Sequence, residues 1–179
     1  MNPDSTADLE IRAAVRGDAE AIAAIFNQGV EDRVATFETR PATVEDAVAW
    51  VEGDVVVVGE SRSSAATNTG AGSILGWAKA GPYSDQHDYY AGIREATLYV
   101  ARDARRRGLG RALLDALATS AGEAGAHKLV GKIFTTNEPS IALVKGLGWR
   151  EVGVHRRHGT LDGEWRDVLV VEKLLGGDA

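Results

Sequence analysis

RRRGLG, Arg105 to Gly110, stands between a strand-like run, Glu95 to Ala101, and a run with helical spacing, Leu109 to Ala124. A loop rich in glycine and arginine at a strand-to-helix junction is suited to hold an anion. The free N–H groups of a first helical turn point out of the helix, and the helix dipole favours negative charge there. Gly108 and Gly110 permit close approach of the backbone and positive φ without steric cost. The stretch predicts an α/β chain with an anion cradle at the start of a central helix.

Outward from this point the chain alternates regularly. Leu9 to Val15 reads as a first strand, and Asp18 stands where a helix N-cap would, ahead of the helical spacing Ala21, Ile22, Ile25 and Val30. Glu31 to Thr43 reads as an irregular loop, with Thr43 capping a short helix through Trp50. Asp54 to Glu60, with four consecutive valines, reads as a buried strand, joined to Ile74–Ala80 through the small, polar loop Ser61 to Ser73. Gly81 to Arg94 is a long aromatic loop. After the central helix come a strand at Lys128–Phe134, a helix opened by Asn137 or Ser140, and strands at Trp149–His155 and Trp165–Leu174. The pair Asp162-Gly163 predicts a tight hairpin between the last two. The order is strand, two helices, three strands, helix, strand, helix, two strands: one mixed sheet in a single domain over residues 9–175, behind a flexible N-terminus, residues 1–8.

Composition narrows the function. The chain has 179 residues, 44% hydrophobic and 26% charged, with a formal net charge of −6. Acidity on that scale argues against a general nucleic-acid or membrane binder, so Arg102, Arg105, Arg106, Arg107 and Arg111 form a local positive cluster suited to a small anion. With no cysteine, disulfides, thiolate metal sites and cysteine nucleophiles are excluded. The four histidines lack metal-ligand spacing; His155 and His158, three apart on a strand, are expected on opposite faces. Trp149 and Trp165 are expected to pack in the core. No apolar run resembles a leader or a membrane span, which predicts a cytoplasmic protein.

Three phosphate loops compete for RRRGLG. The Walker pattern GxxxxGK[ST] is absent, and the dinucleotide pattern GxGxxG fails at Leu113. Arg105, Gly108 and Gly110 instead match the R-x-x-G-x-G loop that grips the pyrophosphate of coenzyme A, and here the chain resembles the GCN5-related N-acetyltransferase (GNAT) family. NEPSIALVKGLGWREVG, Asn137 to Gly153, is similar to that family's second cofactor segment. TFETRPAT from Thr36, AGPY from Ala80, EATLYV from Glu95 and RHGTLDGEWRDV from Arg157 resemble the phosphinothricin acetyltransferase subfamily; the C-terminal stretch resembles its arsinothricin-acetylating branch.

The resemblance implies a mostly antiparallel sheet flanked by helices, acetyl-CoA as co-substrate, no metal, and a small amino-acid-like amine as acceptor. It implies Glu95 as general base. It puts Leu98, Tyr99, Val100, Arg105, Arg106, Arg107, Gly108, Leu109, Gly110, Arg111, Asn137 and Ser140 around the cofactor. Around the acceptor it puts Phe37, Tyr83, Thr97, Tyr99, Lys132 and Phe134. Where relatives carry a basic residue after GPY this chain reads SDQHDYYAGIR, so Arg94, Arg157 or His158 would have to supply the cation. Val144 occupies the position of the family's usual general acid; water or Tyr99 protonates the departing thiolate, or it leaves unaided. A homodimer is implied, with Phe37 reaching toward the partner's pocket. An acceptor at a protein N-terminus or a polyamine, and a non-catalytic acyl-CoA-binding module, are the competing readings.

Overall fold

The structure, a computed structural model, describes residues 9–61, 73–83 and 87–176. The N-terminal residues 1–8, residues 62–72 of the expected hairpin loop and residues 84–86 of the aromatic loop lie outside the described residues. The elements are β1 (Leu9–Ala13), α1 (Ala19–Asp32), α2 (Val44–Gly53), β2 (Val55–Ser61), β3 (Ser73–Pro82), β4 (Ile93–Val100), α3 (Leu109–Glu123), β5 (Lys128–Phe134), α4 (Glu138–Gly146), β6 (Arg150–Leu161) and β7 (Glu164–Leu174). Their order is the one expected from the sequence. Among the described residues, no helix is long and apolar enough to cross a membrane.

The strands form one seven-stranded sheet in the order β1-β2-β3-β4-β5-β7-β6. Among the described residues only β4 and β5 run parallel, because α3 carries the chain back across the sheet between them. Their ladder is short. It pairs Ile93–Ala96 with Lys128–Gly131 and stops, while β4 continues to Val100 against β3 and β5 continues to Phe134 against β7. The sheet therefore splays into two halves beyond Ala96 and Gly131. Backbone groups of Thr97–Val100 and Lys132–Phe134 that would complete the ladder are left for another partner.

Helices cover both faces. On one, α1 and α2 pack a chain of rings in which Trp77 stacks between Trp50 (5.6 Å) and Tyr99 (5.2 Å), and Phe26 meets Tyr99 edge-on at 5.1 Å. On the other, α3 buries Leu109, Leu113 and Leu117. Gly59 and Gly76 admit that helix: a Cβ at Gly59 would lie 2.5 Å from Leu109 Cδ1, and one at Gly76 3.1 Å from Leu113 Cδ1. Thr43 caps α2 as expected, its hydroxyl accepting from Asp46 N–H while Asp46 accepts from Thr43 N–H. Asp18 stands at the start of α1 but caps nothing there. Its carboxylate accepts from Val15 N–H and from Arg12, tying β1 to the helix entry.

Three expectations fail at the β6–β7 hairpin. The sixth strand does not end at His155 but runs to Leu161, an edge strand exposed along nearly its whole length. Its open faces deny a hydrophobic alternation to read. Trp165 is not in the core; near the hairpin's tip it is 59% exposed. His155 and His158 do not lie on opposite faces. A register shift between His155 and Gly159, with Arg157 at φ 49°, rotates the strand and brings the two rings together, Nδ1 to Nδ1 at 3.3 Å. The turn itself is as expected, with Asp162 and Gly163 both left-handed at φ 52° and 82°.

Candidate active site

The splayed strands open a pocket of about 480 Å³, within the range that holds small molecules. Alternation along β4 sorts its walls. Tyr99 turns to the face covered by α1, and by strand parity Glu95 and Thr97 share that face. Leu98 and Val100 turn to the α3 face, where a Cβ on Gly110 would meet Leu98 Cδ2 at 3.5 Å and Leu143 Cδ2 of α4 at 3.1 Å. The pocket reaches both sides. Phe37, Glu38, Glu95, Thr97, Lys132 and His158 line one part; Leu98, Ser140, Leu143, Val144 and Trp149 line the other. It passes through the sheet where the β4–β5 ladder is missing.

On the first side, Lys132 Nζ donates to Glu95 Oε2 at 2.7 Å. Phe37 packs within its own chain: it meets Phe134 edge-on at 4.7 Å and fills the space a side chain at position 159 would need, 2.8 Å from a Cβ there. Burial pushes the Tyr99 hydroxyl up to about 12, against a hydrogen bond shared with Thr36. Tyr83 is not brought to the pocket; it is 40% exposed and lies edge-on to Tyr90. Of the substitute cations, His158 lines the pocket, while Arg94 and Arg157 do not. Glu38 and Thr36 line it as well and were missed as site residues, although both belong to the TFET segment that drew attention to Phe37.

On the second side, Asn137 caps α4. Its Oδ1 accepts from Ser140 N–H at 3.2 Å, and its Nδ2 donates to Val34 O at 3.2 Å beyond the end of α1. The RRRGLG loop lies against this wall through Gly110. Gly108 begins α3 at φ 83°, a conformation that excludes a side chain without strain, and its carbonyl accepts from Arg111 and Ala112 N–H. That leaves Leu109 and Gly110 N–H directed out of the helix.

The arginine cluster is less open than its letters suggest. Arg105 donates to Val100 O at 3.1 Å and to Asp32 at 2.9 Å, and Arg102 donates to Asp32, Glu31 and Gln28 O. Arg102 foremost, with Arg105, holds the Asp32 carboxyl below the usual carboxylate range against a partial burial cost. Arg111 donates to Gly146 O at the end of α4. Among the described residues, Arg106 and Arg107 are the cluster's members without an ion pair or side-chain hydrogen bond. No group of three or more His, Cys, Asp or Glu side chains is placed to hold a metal ion among the described residues.

The acetyltransferase (GNAT) domain family matches residues 11–170. A phosphinothricin N-acetyltransferase of Streptomyces coelicolor is 31% identical over 170 residues, covering 95% of this chain and 98% of that protein. An L-methionine sulfoximine/L-methionine sulfone acetyltransferase of Pseudomonas paraeruginosa is 30% identical over 162 residues, covering 90% and 92%. The structure of a GNAT superfamily phosphinothricin acetyltransferase from Sinorhizobium meliloti, in complex with acetyl-CoA, superimposes with a TM-score of 0.81 at 28% identity, covering 94% of this chain and 89% of that one. The chain belongs to the GNAT acetyltransferase family.

Proposed function

We propose that the protein transfers an acetyl group from acetyl-CoA to the amine of a small amino-acid-like acceptor of the phosphinothricin or methionine sulfoximine type. The observation that carries this is the gap between β4 and β5, which lets two reactants meet from opposite faces of one sheet. The N-terminus of α3, with Leu109 and Gly110 N–H and the free side chains of Arg106 and Arg107, is the place for pyrophosphate. Beyond the end of the β4–β5 ladder, Leu98 and Val100 on either side of Tyr99 offer backbone N–H groups to the pantetheine arm and to the developing oxyanion. Ser140 and Leu143 wall the same channel.

Glu95, on the opposite side, accepts the acceptor's ammonium proton directly or through one water. The freed nitrogen attacks the thioester carbonyl, a C–N bond forms, and the C–S bond breaks. No side chain is assigned as acid for the thiolate. Val144 has no proton to give, and a Tyr99 hydroxyl near 12 is a weaker acid than an ordinary thiol near 8.5, so transfer from it runs uphill. The thiolate leaves unaided and takes its proton from solvent.

Thiol release from acetyl-CoA tests the reading. Phosphinothricin, methionine sulfoximine and arsinothricin are compared with spermidine and an unblocked peptide. Release with at least one of the three amino acids at a lower KM than the other amines is expected. Release with spermidine or peptide alone, or with none, sinks the acceptor assignment.

A further inference from the structure

The acceptor side of the pocket carries its own ion pair, Glu95 with Lys132 at 2.7 Å, drawn from neighbouring strands on one face of the sheet. Glu38 and His158 are the other titratable groups with carboxylate or basic character on that side. With Lys132 Nζ already on Oε2, an ammonium group arriving at Glu95 is a second cation on one carboxylate. A simple amine would set two cations against one carboxylate, and their mutual repulsion weakens its binding. An α-amino acid avoids this. Its ammonium and carboxylate sit on one carbon, so they carry one charge opposite to Glu95 and one opposite to Lys132.

We infer that Lys132 is the specificity residue for the acceptor's carboxylate, exchanging its internal ion pair for one with the substrate as the ammonium takes its place on Glu95. The inference rests on the acceptor assignment above. The exchange also explains release. Acetylation turns the ammonium into a neutral amide that no longer holds Glu95, and once that carboxylate has shed its proton it can reclaim Lys132.

The test compares methionine sulfoximine with its carboxamide in wild type, Lys132→Met and Lys132→Arg, reading KM and kcat separately. In wild type the acid should have a KM about 10- to 100-fold below the amide, the range set by a hydrogen bond between charged groups. Lys132→Met should raise KM for the acid until that ratio nears one, and Lys132→Arg should restore the preference. A Lys132→Met enzyme that still prefers the acid by the wild-type ratio overturns the inference while leaving the acceptor assignment intact. Wild type that acetylates neither compound, nor any other α-amino acid, removes the acceptor assignment and this inference with it.

Discussion

Replacing Glu95 with glutamine separates chemistry from structure at this site. Gln keeps the shape of the side chain and an oxygen for Lys132 Nζ, yet it cannot take a proton. If Glu95 is the base, kcat should fall roughly 10²- to 10⁴-fold, the range for a positioned general base, equivalent to about 3–5 kcal/mol of barrier. The structural cost should be small. The side chains of Glu95 and Lys132 are 33% and 42% exposed, and an ion pair that open to water contributes no more than about 1 kcal/mol. For a domain of this size that is a melting change of roughly 2–4 °C. The assay is thiol release at saturating acetyl-CoA across pH 5.5–9, with a melting curve of each protein with and without acetyl-CoA. The acetyl-CoA-induced melting shift should be kept in the variant. A variant rate within tenfold of wild type, or a lost melting shift, refutes the assignment.

Other consequences can be measured on the same protein. Gly29→Ala in α1 should destabilise the fold by about 1–2 kcal/mol in urea unfolding: its Cβ would lie 2.5 Å from Tyr99 Cε1, and overpacking outweighs the helix preference of alanine; a stabilised variant would contradict the packing. Burial opposes the charge on Asp18, but the hydrogen bonds from Arg12 and Val15 N–H outweigh it and hold its pKa below the ordinary carboxylate value. Its contribution is therefore full above that ordinary value and fades as pH falls through the folded pKa. Asp18→Asn should cost about 1–3 kcal/mol at pH 7, a difference from wild type that shrinks below about pH 4; a difference independent of pH would refute the sign. Arg106→Ala with Arg107→Ala should weaken acetyl-CoA about tenfold at low salt and much less near 1 M. Arg105→Ala should instead lower the melting temperature, since Arg105 holds Asp32 and Val100 O.

What could be read from the letters was what depends on near neighbours. The strand-loop-helix at RRRGLG, the Thr43 cap and the Asp162-Gly163 turn each declare themselves within a few residues, and the alternation of elements gave the fold class. The site's defining feature was not legible. The β4–β5 gap depends on where a parallel ladder stops between segments separated by all of α3. Nothing local to Thr97 or Lys132 marks it. The letters around Arg105 match a pyrophosphate loop but do not show its partner, Asp32, 73 residues away. His155 and His158 were set apart by strand periodicity, which a single left-handed residue, Arg157, defeats. Trp165 shows the limit of residue type as a guide, since its place at an edge hairpin's tip leaves a large ring in water.

The central claim is that the opening between β4 and β5 is built for acetyl-CoA, and melting in its presence tests this most directly. At about 100 times its Kd, acetyl-CoA should stabilise the fold by about 2.7 kcal/mol, a rise in melting temperature of roughly 5–11 °C. A melting temperature unmoved by millimolar acetyl-CoA would contradict the account.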